Sequence, residues 1–152
     1  MKKIIFLPLI IFITACSNET TGIESDTVDK EKTYNWRLVT SWPKNYPGLG
    51  MAPERIADLV EEMSDGQMKI TVYGAEEQVP AFGVFDAVSS GSHQMGHSGG
   101  YFWKGKVPAA QFFTSVPFGL TADEINAWVN RGGGLELWRE IYAPFNIYPI
   151  PA

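Results

Sequence analysis

The stretch that decides the fold is WRLVTSWP, residues 36–43. Its first five residues carry the aromatic and β-branched side chains that favour a β-strand, and the proline ends the strand. Residues 43–50 are rich in proline and glycine and predict an exit loop. Beyond it, Pro53 and Glu54 suit the first turn of a helix, and Gly66 can end that helix. Strand, loop and helix in this order predict the opening unit of an α/β fold.

The helix after this loop has the clearest periodicity in the chain. Its apolar residues recur at i, i+3, i+4 and i+7, namely Ile56, Leu59, Val60 and Met63. Because this spacing places all four on one face, we expect that face to pack against the sheet.

Strand and helix patterns alternate along the rest of the chain. Residues 68–73 alternate apolar and polar side chains, which predicts a strand with one buried face. Short strands are also predicted over residues 94–98 and 145–150. Further helices are predicted after Pro80 with Phe82 and Phe85 as apolar positions, from a capping box at residues 121–124, and over residues 135–142. The expected fold class is α/β, with a mostly parallel sheet flanked by helices and ligands bound beyond the carboxyl ends of its strands.

The amino terminus has the pattern of an export signal. Lys2 and Lys3 precede an apolar run at residues 4–13, which is too short to span a bilayer. Cys16 follows a small-residue exit, and the pattern resembles a bacterial lipobox. The resemblance predicts removal of a lipoprotein signal peptide, residues 1–15, and a lipid anchor on Cys16 in an extracytoplasmic, membrane-anchored or periplasmic protein.

A polar segment separates this signal from the rest of the chain. Residues 16–33 are acidic and nearly free of large apolar side chains, so they cannot bury enough surface to offset the entropy of ordering. We therefore expect a disordered tether there and a folded domain over residues 34–152.

Composition excludes several classes of protein. The 152 residues include 12 Lys and Arg against 17 Asp and Glu, and the basic residues are scattered. A nucleic-acid-binding surface normally shows a basic stripe, so no nucleic acid is expected as a partner. The single cysteine excludes a disulfide framework or a multi-cysteine metal site within the chain.

One motif suggests an enzyme. Residues 96–100, GHSGG, match the G-x-S-x-G turn of α/β-hydrolases, with Ser98 as nucleophile. The residues after Ser98 are a poor helix start, and both histidines, His93 and His97, precede the serine. An exported serine hydrolase stays as the alternative function. As metal ligands the two histidines would suit a helix, but in a strand they lie about 13 Å apart, so structural or loop roles are expected.

Aromatic residues cluster where strands end. Trp42 lies directly before Pro43 at the exit of the first strand, and Tyr101, Phe102 and Trp103 follow the diglycine at residues 99–100. Three successive aromatic side chains cannot all face one core, so some line a cleft or a surface, or pack beneath a loop or lobe interface. The diglycine is predicted to let a ligand approach the backbone closely.

An ordered set of segments is similar to one family. The segments are WRLVTSWP at 36–43, YGA at 73–75 with PAF at 80–82 and VFDAV at 84–88, GHS at 96–98 with YFWKGK at 101–106, and VPFGL at 116–120. They resemble the extracytoplasmic solute-binding subunit of TRAP transporters (tripartite ATP-independent periplasmic transporters), in the branch that binds 2-oxo and 2-hydroxy monocarboxylates. The resemblance covers about residues 34–152.

The resemblance implies a receptor and not an enzyme. A two-lobed, periplasmic-binding-protein-like molecule closes over a small organic acid and passes it to a membrane permease. The ligand-binding residues carried over by position are Trp42, Tyr101, Phe102 and Trp103, with Gln78 and Val79 in the second strand-exit loop.

Family members are much longer than this chain, so the resemblance implies an amino-terminal lobe with its second lobe missing. The arginine that clamps the carboxylate, and the ligands of any cation beside it, are expected beyond Ala152. No metal site or cofactor is therefore expected within the chain, and a homodimer of the full-length protein stays open.

Overall fold

A computed structural model describes residues 32–151. Its strands are β1 (Tyr34–Thr40), β2 (Met68–Tyr73) and β3 (Met95–His97). Its α-helices are α1 (Ala52–Met63), α2 (Val84–Ser89), α3 (Ala122–Arg131) and α4 (Gly134–Tyr142). Short 3₁₀ segments cover Ala81–Gly83, Gly100–Trp103, Pro108–Phe113 and Ala143–Phe145. The predicted signal peptide, Cys16 and nearly all of the tether lie outside the described residues.

The three strands form one parallel sheet in the order β2-β1-β3. In register, Leu38 pairs with Val72 of β2 and with Met95 of β3, and Thr40 pairs with His97. The chain crosses from β1 through α1 to β2 on one side, and then through α2 to β3 on the other. The strand order therefore reverses at β1, which is where an open parallel sheet forms a crevice.

Strand β1 supplies the core on both faces of the sheet. Successive side chains of a strand point to opposite faces. Leu38 packs with Ala57, Ile70 and Val72 on the α1 face. On the other face, Val39 packs with residues of α2 and of the 3₁₀ turn Gly100–Trp103, which we call the aromatic turn. Since β1 lies between two strands and two layers, its carboxyl end is almost fully buried.

Helix α1 is confirmed, but its predicted packing face is only partly right. The buried residues of α1 are Pro53 and Ala57, and Val60 packs on the same cluster. Ile56 and Met63 are 37% and 78% exposed. The small Ala57 lets the helix lie close to the sheet, which rotates the larger side chains toward solvent.

The strand predicted over residues 145–150 is wrong. Ala143–Phe145 is a 3₁₀ turn, Asn146 has a φ of 57°, and the residues after it pair with no strand. Ser89 Oγ donates to the Phe145 carbonyl at 2.6 Å, which ties this segment to the end of α2. Phe145 and Ile147 pack against the core, so these apolar side chains serve packing and not strand pairing.

The other predicted helices are present. Thr121 caps α3, with its Oγ1 accepting from the Glu124 N–H while Glu124 Oε2 accepts from the Thr121 N–H. The helix predicted after Pro80 forms as a 3₁₀ turn followed by α2. No helix in residues 32–151 is long and apolar enough to cross a membrane.

His93 is buried between α2 and β3. Ser92 Oγ donates to the Ala87 carbonyl at 2.8 Å, so its lone pairs accept from His93 Nδ1 at 3.1 Å. The neutral ring therefore carries its proton on Nδ1, and Nε2 is buried without a partner. Burial, and then the Arg37 guanidinium, lower the pKa of His93.

This arrangement predicts a loss of stability in weak acid. The unfolded chain takes up a proton on histidine below a pH of about 6.5, whereas folded His93 resists it. The free energy of unfolding should therefore fall as the pH drops from about 6.5 toward the lowered pKa of the folded state. In His93→Asn the amide replaces the Nδ1 donor without titrating, so its stability should depend less on pH. Urea unfolding between pH 7 and pH 5 measures both slopes, and equal slopes would contradict the prediction.

Candidate functional site

The carboxyl ends of β1 and β3 form a crevice at the reversal of strand order. The chain leaves β1 through Ser41 and Trp42, and leaves β3 through Ser98. The two exits start side by side, because the Ser41 N–H donates to the His97 carbonyl at 3.1 Å. Ala75 N–H donates to the Trp42 carbonyl at 3.0 Å, which brings the loop after β2 to the same edge.

Aromatic rings from four segments of the chain line this edge. The Trp42 ring lies 4.9 Å from His97 and 6.2 Å from Phe102, between centroids. Phe102 lies 5.2 Å from Phe82 and 4.5 Å from Tyr101. We call these five rings the aromatic wall. Trp42, His97 and Phe102 are half-buried, whereas Phe82 and Tyr101 are exposed, so the wall is an accessible surface supported from beneath.

Two serine hydroxyls meet at the base of the crevice. Ser41 Oγ donates to the Ala81 carbonyl at 2.7 Å and lies 2.5 Å from Ser98 Oγ. Since the Ser41 proton is already donated, the shared bond takes its proton from Ser98. The bond therefore links the two strand exits.

This geometry opposes the hydrolase alternative. Ser98 donates to another serine, and the side-chain partner of His97 is Thr40, 3.3 Å from Nδ1. Burial lowers the pKa of His97, so the ring is neutral near pH 7. The segment after Ser98 is the 3₁₀ turn Gly100–Trp103 and not an α-helix. Within residues 32–151, Ser98 therefore lacks both the histidine base and the strand-to-helix turn that the nucleophile of an α/β-hydrolase requires.

The structure separates the predicted site residues into two groups. Trp42, Tyr101 and Phe102 come together in the aromatic wall. Trp103 is 6% exposed and packs 5.4 Å from Phe85 in the core, so it supports the turn from below. In the loop after β2, Val79 packs against the same core.

Hydrogen bonds within the loop after β2 fix the conformation of its remaining residues. Gln78 is exposed. Glu76 Oε1 accepts from the Ala81 N–H at 3.1 Å, and Glu77 accepts from the Gly74 N–H and pairs with Lys44. These carboxylates stabilise the conformation of the loop and link it, through Lys44, to the segment after β1.

The diglycine has a different role from the one predicted. A Cβ on Gly100 would lie 2.5 Å from the Ala110 carbonyl oxygen, and one on Gly99 would lie 2.5 Å from the Tyr101 ring. Both glycines are buried against the chain's own atoms. They therefore allow the aromatic turn to pack closely on the following segment, and do not open the backbone to a ligand.

Two members of the aromatic wall, Phe82 and His97, are not predicted from the sequence as ligand-binding residues. Phe82 was predicted as an apolar position of a helix, but the 3₁₀ turn at Ala81–Gly83 directs it to the surface, where it is 67% exposed. For His97 the sequence predicts a structural or loop role. Its position at the last residue of a strand was the one available signal.

Outside the crevice, the described residues form an apolar groove but no metal site. No group of three or more His, Cys, Asp or Glu side chains in residues 32–151 could hold a metal ion. An apolar groove of about 260 Å³ is lined by Phe112, Thr114, Val116, Gly119, Leu120, Ile125 and Trp128. It contains none of the predicted ligand-binding residues.

The sequence is similar to those of known proteins. Residues 38–149 match the family described as bacterial extracellular solute-binding protein, family 7. A monocarboxylate 2-oxoacid-binding periplasmic protein of Nostoc sp. is 47% identical over 117 residues, which are 77% of this chain and 32% of that protein.

Solved structures match as well. A TRAP periplasmic solute-binding protein of Pseudoalteromonas atlantica, with bound sodium and pyruvate, is 48% identical with a TM-score of 0.77 over 79% of this chain and 36% of that one. One from Colwellia psychrerythraea, with bound calcium and pyruvate, is 43% identical with a TM-score of 0.77 over 79% and 37%. These matches confirm the predicted α/β lobe, and the chain spans about a third of the length of these relatives.

The packing at Gly100 gives a test of how the aromatic turn is held. Gly100→Ala should lower the free energy of unfolding by about 1–3 kcal/mol, because the new methyl group meets a backbone carbonyl that cannot move freely. Gly105→Ala is the matched control, since a Cβ there meets nothing within 4 Å. Urea unfolding followed by circular dichroism measures both, and equal stabilities of the two variants would refute the packing role.

Proposed function

This chain belongs to the bacterial extracellular solute-binding proteins of family 7, and we propose that it forms one lobe of a receptor for a small monocarboxylate. The ligand is a 2-oxo or 2-hydroxy acid, which the receptor delivers to a TRAP-type membrane permease without chemical change. The main support for this proposal is the crevice where the strand order reverses. There the aromatic wall lies beside the paired hydroxyl groups of Ser41 and Ser98. Relatives of known structure at 48% and 43% identity contain pyruvate.

The crevice suits a small, flat acid with an apolar end. The rings of Trp42, Phe82 and Phe102 offer rigid apolar area at little entropic cost, and they exclude water from polar contacts nearby. Tyr101 and the indole of Trp42 add hydrogen-bond donors. A keto acid the size of pyruvate needs this combination of one apolar wall and a few directed donors.

The family resemblance implies that the charge of the carboxylate is met by a group outside this lobe. Of the cationic groups in the described part of the chain, Lys44 pairs with Glu77 and Lys106 with Asp86. From the family resemblance we expect a carboxylate-binding arginine, and the ligands of a bound cation, beyond residue 152. A bidentate guanidinium would supply the charge-assisted part of the affinity. Sodium or calcium accompanies pyruvate in the two solved relatives, which supports a cation beside the ligand.

Within this lobe we assign the ligand contacts to the exposed and half-buried rings. Trp42, Tyr101 and Phe102 contact the acid, and Gln78 borders the crevice from the loop after β2. Val79 and Trp103 act from beneath, by packing the loop and the aromatic turn on the core.

Loss of one ring should weaken binding. Phe102→Ala removes the ring that contacts Trp42, Phe82 and Tyr101, so pyruvate affinity should fall about tenfold or more. Phe112→Ala is the control, because that ring lies in the separate apolar groove. Isothermal titration of pyruvate, lactate and acetate into the native protein, expressed from its own gene, measures the effect. If none of the acids binds to the wild type, the proposed function is wrong.

We also propose that Cys16 carries a lipid that tethers the receptor at the outer face of a membrane, with residues 1–15 removed. The polar residues 16–33 would then space the lobe from the lipid. Metabolic labelling with a palmitate analogue should mark the wild-type protein. Cys16→Ser should lose the label and appear in the soluble extracytoplasmic fraction, whereas an unlabelled wild type would overturn the anchor.

A further inference from the structure

His97 closes strand β3 with its two ring nitrogens in different surroundings. Nδ1 lies 3.3 Å from Thr40 Oγ1, and Thr40 is fully buried at 0% exposure. The ring packs at 4.9 Å against Trp42, tilted by 53°. Since the two nitrogens of an imidazole point away from each other, Nε2 points away from the buried threonine.

The threonine decides which nitrogen carries the proton. Thr40 Oγ1 accepts from the Trp42 N–H at 3.2 Å, and its own proton needs an acceptor because the group is buried. Within residues 32–151 the side chain that meets this need is His97, through Nδ1. An accepting Nδ1 leaves the neutral ring protonated on Nε2.

The Nε2–H group is available to a ligand. In the described part of the chain, Nε2 of His97 has no hydrogen-bond partner, yet it is not enclosed. His93 is the contrast, because its Nε2 is buried without a partner and its proton is on the other nitrogen. The two histidines of the chain are therefore neutral in opposite tautomers.

We propose that His97 contacts the bound monocarboxylate, with its neutral Nε2–H donating a hydrogen bond to a ligand oxygen. Thr40 is a positioning residue that sets the tautomer and the orientation of the ring. The same threonine hydroxyl receives the Trp42 N–H, so one buried group aligns both a donor and a ring of the aromatic wall. This assignment rests on the proposed function and adds a donor to its site.

Two amide variants of His97 distinguish the contribution of its hydrogen-bond donor from that of its side-chain volume. His97→Gln places an amide donor near the Nε2 position, whereas His97→Asn places it near Nδ1 and leaves the crevice without the donor. The affinity for pyruvate is measured on the protein expressed from its own gene. It should fall about tenfold in His97→Asn, and should stay within about threefold of the wild-type affinity in His97→Gln. Thr40→Ser should keep the affinity, and Thr40→Val should lower it about three- to tenfold.

Nitrogen-15 NMR of the wild-type imidazole gives a readout that needs no variant. The ring should show a protonated Nε2 and an accepting Nδ1, and pyruvate should shift the Nε2 resonance most. Thr40→Val should shift the tautomer balance, which loss of packing alone would not do. A wild type that binds pyruvate with His97 protonated on Nδ1, or with equal affinity in His97→Asn, overturns this assignment alone. A wild type that binds no monocarboxylate overturns the proposed function.

Discussion

The structure depends on β1 lying in the middle of a parallel sheet. Strand pairing on both edges and packing on both faces leave Thr40 at its end without contact with water. A buried hydroxyl must satisfy both its lone pair and its proton, and that of Thr40 does so with the Trp42 N–H and with His97. The same constraint that completes the core therefore orients Trp42 and His97 at the crevice.

The crevice is built mainly from neutral groups. Aromatic rings, serine hydroxyls and an uncharged imidazole lie along the edge, while the nearby carboxylates of Glu76 and Glu77 are used to hold the loop after β2. Neutral donors in a partly dry site bind an anion through directed hydrogen bonds and do not carry a large desolvation cost of their own. In the proposed receptor, a lobe of this kind would contribute shape and direction and would complement a charged group from another part of the molecule.

Close packing, and not ligand access, explains the glycines of the aromatic turn. Gly100 lies against the Ala110 carbonyl, where no larger residue fits. The turn can then bury Trp103 beneath the surface while Phe102 and Tyr101 lie above it. The compact 3₁₀ geometry of Gly100–Trp103 directs these three successive side chains to different depths, from exposed Tyr101 to buried Trp103.

Local signals alone determined much of this protein. The β-branched run before Trp42, the alternation over Met68–Tyr73 and the Thr121 cap each specify an element through contacts within a few residues, and the segments at strand exits identified most of the aromatic wall. Only the tertiary structure decided which apolar faces are buried and which rings are exposed. The same apolar residues after Ala143 could pair in a sheet or pack beneath it, and the space beside α2 selected packing. Likewise, the tautomer of His97 follows from a threonine that lies 57 positions away in the chain, and no local pattern records such a contact.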